Sequence, residues 1–401
     1  MYDIRKLSED LLYIGCSDRR LKLFESAYPI PNGISYNSYL LKDEKTVLFD
    51  TVDKACSGQF FENLEAGLDD RTLDYIVIHH MEPDHCALLE DVISIYPDAK
   101  IVCTAKTVAL IKQFFDFEVD SRVMIVKEGD VLNTGKHEFI FTPAPMVHWP
   151  EVMVTYDKTD KALYSADAFG SFGAINGNLF DKEIRFEKDY IDEARRYYTN
   201  IVGKYGVQVQ MLLKKLNGLD IKTIYPLHGL VIKDNIKYFV EKYDKWSKYE
   251  PEEKSVLIAY SSVYGGTENA VNILSGILAD KGRINNIKMY DVSQTHYSYI
   301  LSDAFKYSHI VFATTTYNNG IFESMENLLH NIASHNLQNR KVVLIQNGSW
   351  APSCGGQMKA ILEKLNGTEI IDDSLCIKSA LKENQLDELE CIADKIINSL
   401  Q

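Results

Sequence analysis

Apolar residues keep two different rhythms along this chain. Up to residues 245–255 (KWSKYEPEEKS), short apolar runs of strand length predominate, with helical patches between them. NSYLL and TVLFDTV predict two strands around a turn at 42–45, and LDYIVIH predicts a short buried strand. CALLEDVISIYP carries its apolar residues at helical spacing. EVMVTYDKTDKALYSADAF predicts a hairpin turning at 157–160, and TIYPLHG a further strand. Strands followed by helices, twice over, predict an αββα sandwich for this half.

Beyond residue 255 the rhythm becomes a regular alternation. SVLIAYSS, NNIKMYDVS, HIVFATTTY, KVVLIQNGS and SLCIKSA predict five strands. TENAVNILSGILADKG, IFESMENLLHNIASH and GGQMKAILEKLNG predict helical crossovers, and ENQLDELECIADKIINSL a closing amphipathic helix. Such alternation predicts a parallel, doubly wound sheet. The proline and charges of 245–255 suit a linker, so the expected domains are 1–252 and 253–401.

Composition narrows the function classes. With 401 residues, 46% of them apolar and 25% charged, the chain can bury two globular cores. A net charge of −14 repels polyanions, which argues against nucleic acid or an anionic membrane surface as a partner. No apolar stretch approaches the roughly 20 residues that span a bilayer. The opening MYDIRKLSEDLLYIG lacks the pattern of a secretion signal, so a cytoplasmic location is expected. The seven cysteines are odd in number and include no Cys-x-x-Cys, which supports neither a disulfide framework nor a thiolate metal site.

Candidate chemistry is concentrated at the ends of predicted strands. In DYIVIHHMEPDHCALLE, His80, Glu82, Asp84 and His85 follow an apolar run. In extended backbone, alternate residues 80, 82 and 84 point the same way. His148 in APMVHWPEV, Asp167 in LYSADAF and His228 in YPLHGL each follow a further run. A lone histidine in such a place is usually a satisfied surface or core residue. The packed HMEPDH unit is different, because burying so many ionisable groups without a cation is costly. Together these residues offer four histidines and three carboxylates, enough for two metal ions.

This set, in this order, resembles the metallo-β-lactamase-like domain of the flavodiiron proteins (A-type flavoproteins). The resemblance implies one iron at His80, Glu82 and His148, a second at Asp84 and His228, often with His85, and Asp167 bridging the two. Hydrolytic zinc relatives typically carry histidine where Glu82 stands. A hard, anionic oxygen donor at that position suits iron, especially ferric iron.

In the second half, Ser261, Ser262, Val263, Tyr264, Gly265, Gly266 and Thr267 form a hydroxyl- and glycine-rich turn before a predicted helix. It lacks the lysine of a Walker A loop, which argues against nucleotide hydrolysis. Backbone N–H groups and a helix N-terminus suit a phosphate. Thr315, Thr316, Tyr317, Asn318, Asn319 and Gly320, then Asn347, Gly348, Ser349, Trp350 and Gly355, follow later strands at their carboxyl ends, where such sheets bind ligands. Tyr317 and Trp350 offer aromatic faces to a flavin ring. The three loops resemble the FMN site of flavodoxins, with Gly266 in place of the usual asparagine.

The resemblance covers nearly the whole chain, in a two-domain form without a rubredoxin or flavin reductase extension. It implies an oxidoreductase with FMN and two irons that reduces O2 to water and/or NO to N2O. It further implies rubredoxin or reduced coenzyme F420 as electron donor, and a head-to-tail homodimer or a dimer of such dimers. Tyr197 or Tyr198 falls near the substrate pocket by the same resemblance, and either reads equally well as a helix packing residue. Two other readings remain open from sequence: a di-zinc hydrolase with a regulatory flavodoxin domain, and an electron carrier with a vestigial metal site.

Overall fold

The computed structural model describes residues 1–401. Its internal contacts divide the chain into two units, Met1–Tyr243 and Asp244–Gln401. In the first unit a seven-stranded sheet runs in the order Arg5–Lys6, Leu11–Tyr13, Tyr39–Lys42, Thr46–Phe49, Tyr75–Val77, Lys100–Cys103, Val123–Ile125. A five-stranded sheet runs Val131–Asn133, Glu138–Pro143, Met153–Asp157, Ala162–Tyr164, Thr223–Tyr225. The expected turns are present: Lys42 pairs with Thr46, and Asp157 with Ala162.

Alternation along the strands sends one set of side chains between the sheets. Tyr39, Phe49, Val77 and Val102 meet Phe139, Phe141, Tyr164 and Tyr225 in a single core. Phe49 stacks on Tyr164 with 4.1 Å between ring centroids. The opposite set faces helices. Gly67 of helix Ser57–Leu68 approaches so closely that a Cβ there would lie 2.9 Å from Leu40. Leu163 and Ile224 of the second sheet lie beneath residues of helices Gly206–Leu216 and Ile236–Ser247. This is the expected αββα sandwich.

The second unit holds a parallel sheet ordered Lys288–Asp291, Glu253–Tyr260, Tyr307–Tyr317, Lys341–Asn347, Glu369–Asp372. This is the doubly wound, flavodoxin-like order. Two details differ from the sequence reading. The fifth strand is Glu369–Asp372, and SLCIKSA supplies only the two-residue strand Cys376–Ile377. The two short strands share one neighbour, pairing with its successive parts Lys341–Val343 and Gln346–Asn347. Helix Tyr297–Lys306, absent from the reading, crosses between the second and third strands. Of residues 245–255, Trp246 and Tyr249 are buried, and the carbonyl of Tyr249 accepts a 2.7 Å hydrogen bond from Arg340. No helix is long and apolar enough to cross a membrane.

Candidate metal centre and flavin site

The metal-ligand candidates converge at one edge of the sandwich because several strands end there. Ala162–Tyr164 and Thr223–Tyr225 are parallel neighbours, so the segments bearing Asp167 and His228 leave the sheet on the same side. The amide of Met153 donates to the carbonyl of His79 at 3.1 Å, joining the two sheets beside the site. After strand Tyr75–Val77 the chain bends at His79 and again at Glu82. Pro83 then begins a four-residue helix, Pro83–Cys86, whose first turn is closed by the Glu82 carbonyl. The strict alternation expected over 80, 82 and 84 therefore fails at Asp84. The helical turn is what lets the consecutive residues Asp84 and His85 both face the site. Met146 (φ 65°) and Ala166 (φ 53°) adopt left-handed backbone within two residues of His148 and Asp167, a conformation that concentrates at functional sites.

Two donor groups result: His80, Glu82, His148 and Asp167, and Asp84, His85 and His228. In the first, Glu82 Oε2 lies 3.2 Å from His80 Nε2 and 3.1 Å from His148 Nε2. Asp167 Oδ2 lies 3.3 and 3.2 Å from the same two nitrogens. In the second, Asp84 Oδ2 lies 3.3 Å from His85 Nε2 and 3.2 Å from His228 Nε2. The other Asp167 oxygen, Oδ1, lies 3.3 and 3.6 Å from those nitrogens. His85 Nε2 and His228 Nε2 face each other at 3.0 Å. Asp167 thus presents one oxygen to each group. Donors held at about 2.0–2.2 Å from one ion stand roughly 3.0–3.6 Å apart, which is the spacing found here.

Both oxygens of Asp84 and of Asp167, and Nε2 of His148, are buried without an aligned hydrogen-bond partner. A buried polar atom normally finds one, and a cation in each group would satisfy all five. The imidazoles are oriented from behind. His80 Nδ1 lies 2.7 Å from Glu151 Oε1, and His228 Nδ1 lies 2.7 Å from the Ser35 carbonyl, the outer contacts that fix a ligating histidine. Burial opposes charge on His80, but Glu151 and Glu82 hold its imidazolium well above the ordinary range. Burial likewise opposes charge on His148, and Asp167 and Glu82 carry it up to about 9. Burial works to raise Glu82 too, yet His148 and His80 leave its carboxyl lowered. With the imidazoles neutral, as metal ligation requires, Glu82, Asp84 and Asp167 leave three negative charges at the site.

His79, beside the ligand run, is a structural pin: Nδ1 lies 2.5 Å from Asp50 and Nε2 2.8 Å from Thr155. A third group, Asp10, His137 and Asp160, lies elsewhere. There the Lys136 ammonium sits 2.8 Å from the Asp10 oxygen that also faces His137, so these residues form an ion-pair network. Tyr197 and Tyr198 part company. The Tyr197 ring packs on His228 at 5.4 Å, whereas Tyr198 packs on Tyr243 at 4.9 Å. Phe24 and Tyr36 complete an aromatic wall around His228 at 5.5 and 5.8 Å.

Sequence reasoning missed Glu151, Glu25, Phe24 and Tyr36. Glu25 belongs to the left-handed pair Glu25–Ser26 (φ 50° and 56°), in the turn between the two-residue strands Leu23–Phe24 and Tyr28–Pro29. The residue is exposed overall, but its carboxyl group lies against that of Glu82. Burial and the Glu82 charge push it up to about 8. Nothing in LFESAYP signals such a contact, since it depends on how the turn folds over the site.

In the second unit the loop 261–265 leads from strand Glu253–Tyr260 into helix Gly266–Gly282. Gly265 takes φ 83° as the helix cap, and Ser262 Oγ accepts from the Glu268 amide at 3.3 Å. Gly266 has a steric reason: a Cβ there would lie 2.0 Å from the Ser379 carbonyl oxygen. Asn347 binds this corner together, donating to Thr267 Oγ1 at 3.2 Å and to the Ser379 carbonyl at 3.1 Å. Ser379, whose hydroxyl also reaches Ser349 at 2.9 Å, was missed because the fifth strand was placed too late. Asn318 and Asn319, both left-handed, form the two-residue turn between Tyr317 and its partner Gly320. Thr316 Oγ1 accepts from the amides of Ser353 and Cys354 at 2.8 and 3.1 Å, whereas Thr315 bonds to the Asn347 carbonyl at 3.4 Å. Gly348 and Gly355 make close approaches to Pro352 and Gln346, and Val263 is exposed. Tyr264, Tyr317 and Trp350 are 98%, 52% and 80% exposed along this one sheet edge. Large aromatic rings left open beside a helix N-terminus suit a planar ligand with a phosphate tail.

Fold and site together define a two-domain protein: a metallo-β-lactamase-like sandwich with paired metal-donor groups, and a flavodoxin-like domain. Residues 34–229 match the family model described as "ODP family beta lactamase". The chain is 30% identical over 363 residues to the anaerobic nitric oxide reductase flavorubredoxin of Klebsiella pneumoniae, across 90% of this chain and 74% of that relative. The solved structure of rubredoxin oxygen:oxidoreductase from the anaerobe Desulfovibrio gigas is similar with a TM-score of 0.93 at 27% identity, covering 99% of this chain and 98% of that one. A mutant flavo-di-iron protein of Thermotoga maritima is similar with a TM-score of 0.90 at 26% identity, covering 100% and 99%. The chain belongs to the flavodiiron protein family of oxidoreductases.

Proposed function

We propose that this protein reduces O2 to water, NO to N2O, or both, using FMN and a non-haem di-iron centre, with electrons entering from an external donor through the flavin. His80, Glu82 and His148 would hold one iron, Asp84, His85 and His228 the other, and Asp167 one oxygen toward each. The carrying observation is the donor set. Apart from Asp167, which is shared between them, each group offers two imidazoles and one carboxylate, the combination that favours non-haem Fe(II). When bound, two ferrous ions and reduced FMN supply the four electrons that convert O2 to two waters, or the two that join two NO molecules as N2O.

The chain's own residues prepare the site. Glu151 and the Ser35 carbonyl hold the outer nitrogens of His80 and His228, so that each Nε2 lone pair faces the metal position. Phe24, Tyr36 and Tyr197 exclude water around His228. Glu25 sets a further carboxyl group against Glu82 at the edge of the site. In the second unit, the N-terminus of helix Gly266–Gly282 with Ser262 and Thr267 would receive the FMN phosphate, and Tyr317 and Trp350 would face the ring.

Both gases are retained because one relative is named for nitric oxide and one structural neighbour for oxygen. The neighbour's name also supports rubredoxin as donor. Reduced coenzyme F420 as an alternative donor, and a head-to-tail homodimer or dimer of dimers, rest on the family resemblance. A cytoplasmic location accords with the lack of a membrane-crossing helix. Metal and flavin content of anaerobically purified protein tests the reading. About two irons and one FMN per chain are expected. Zinc with little iron, reproduced in iron-replete cells, would favour the hydrolase instead.

A further inference from the structure

Outside the metal site, one cleft of about 580 Å³ has two cysteines in its wall, Cys16 and Cys56, together with Arg5, Arg19, Arg20 and Asp3. We infer that Cys16 and Cys56 form a reversible dithiol–disulfide couple that exchanges electrons with small, carboxylate-bearing disulfides entering this cleft.

The two cysteines are far apart in sequence, but the strand and the short turn that carry them touch and set both residues in one cleft wall. Cys16 lies on strand Cys16–Asp18, and Cys56 closes the short 3-10 turn Lys54–Cys56. Cys56 is also the cap of the twelve-residue helix Ser57–Leu68. A helix N-terminus and neighbouring arginine favour a thiolate. Contact with Cys16 draws the Cys56 thiol down, with Arg20 contributing, against the opposing effects of burial, Asp18 and Asp53. The same contact and burial push the Cys16 thiol well up, so Cys16 keeps its proton, and burial alone pushes Cys103 up to about 12. Both thiols reach the cleft wall, at 7% and 8% exposure.

The arginines define the ligand class. Arg5 and Arg19 each spend one N–H on a backbone carbonyl, of Gly177 at 2.8 Å and Ile175 at 2.7 Å. A guanidinium has five donors, so the remaining ones suit carboxylates. The Cys56 thiolate attacks one sulfur of the incoming disulfide, whose S–S bond breaks. One thiolate leaves and takes up a proton, and a mixed disulfide remains on Cys56. Cys16 then loses its proton and attacks the Cys56 sulfur, expelling the second thiol. Two protein thiols are oxidised by two electrons, and one disulfide is reduced to two thiols. Cys16 is also the cross-strand partner of Tyr36, whose ring packs on His228. The couple therefore lies one aromatic residue away from a candidate metal ligand.

The test uses the metal- and flavin-loaded protein under argon with oxidised glutathione, followed by acid quenching, alkylation and peptide mapping. A Cys16–Cys56 cross-link is expected, with two thiols lost per chain and restored by dithiothreitol. Cys16→Ser should stop at a glutathione adduct on Cys56, and Cys56→Ser should react roughly ten-fold more slowly at Cys16. Arg5→Ala with Arg19→Ala should slow oxidised glutathione several-fold and leave neutral bis(2-hydroxyethyl) disulfide unchanged. Adducts confined to Cys376 or Cys391, with Cys16 and Cys56 recovered as free thiols, would overturn the couple. Equal slowing of both reagents by the arginine changes would overturn the ligand class.

Discussion

The two candidate sites are built by opposite means. In the sandwich, four histidines and three carboxylates are gathered below the surface, with carboxylate oxygens left unpaired and imidazoles braced from behind. In the flavodoxin-like unit nothing charged converges. Three aromatic side chains stay exposed on the sheet edge, above a turn made of hydroxyls, amides and glycine. The first site stores unfavourable electrostatics that a cation relieves. The second stores exposed apolar surface that a planar ring covers. One should therefore be sensitive to charge and ligand identity, the other to space and surface.

The largest effect should come from Asp167→Asn, which keeps the shape and removes the charge offered to both metal positions. Iron content should fall from about two toward one or none per chain, and gas consumption by at least about 100-fold, more than outer contacts contribute. Retention of both irons would break the bridging assignment. Glu151→Gln removes only the charge behind His80. Elemental analysis against a competing chelator should show metal affinity about 10–100-fold weaker, with FMN content unchanged.

Changes in the flavin site should be smaller. Gly266→Ala drives a Cβ against the Ser379 carbonyl, so the turn must shift. About 1–3 kcal/mol of lost FMN affinity or unit stability is expected, read by flavin fluorescence and thermal unfolding, with iron content unaffected. Trp350→Ala removes one exposed ring and should weaken FMN by about 1 kcal/mol, roughly five-fold. If Trp350→Ala outweighed Glu151→Gln, the contrast between a charge-built and a surface-built site would be wrong.

Local pattern carried much of this molecule. Periodicity separates a sandwich from a doubly wound sheet, because a half-buried strand repeats every second residue and a helix about every 3.6. The turns at 42–45 and 157–160, and the placing of candidate ligands just beyond strand ends, are local features. So is the choice of glutamate at position 82. Other properties depend on how distant segments close upon one another. His85 joins the second group because the fold brings His228 to 3.0 Å from it, and Tyr197 rather than Tyr198 meets His228 because of where its helix packs. Gly266 is required by the carbonyl of Ser379, Glu25 reaches Glu82 over a folded turn, and Cys16 meets Cys56 across a strand and a helix cap. Each of those contacts joins segments distant in sequence, and its geometry is set by sheet register and packing. A residue's neighbours along the chain determine which element it joins, whereas the closing of the core determines which groups that element will face.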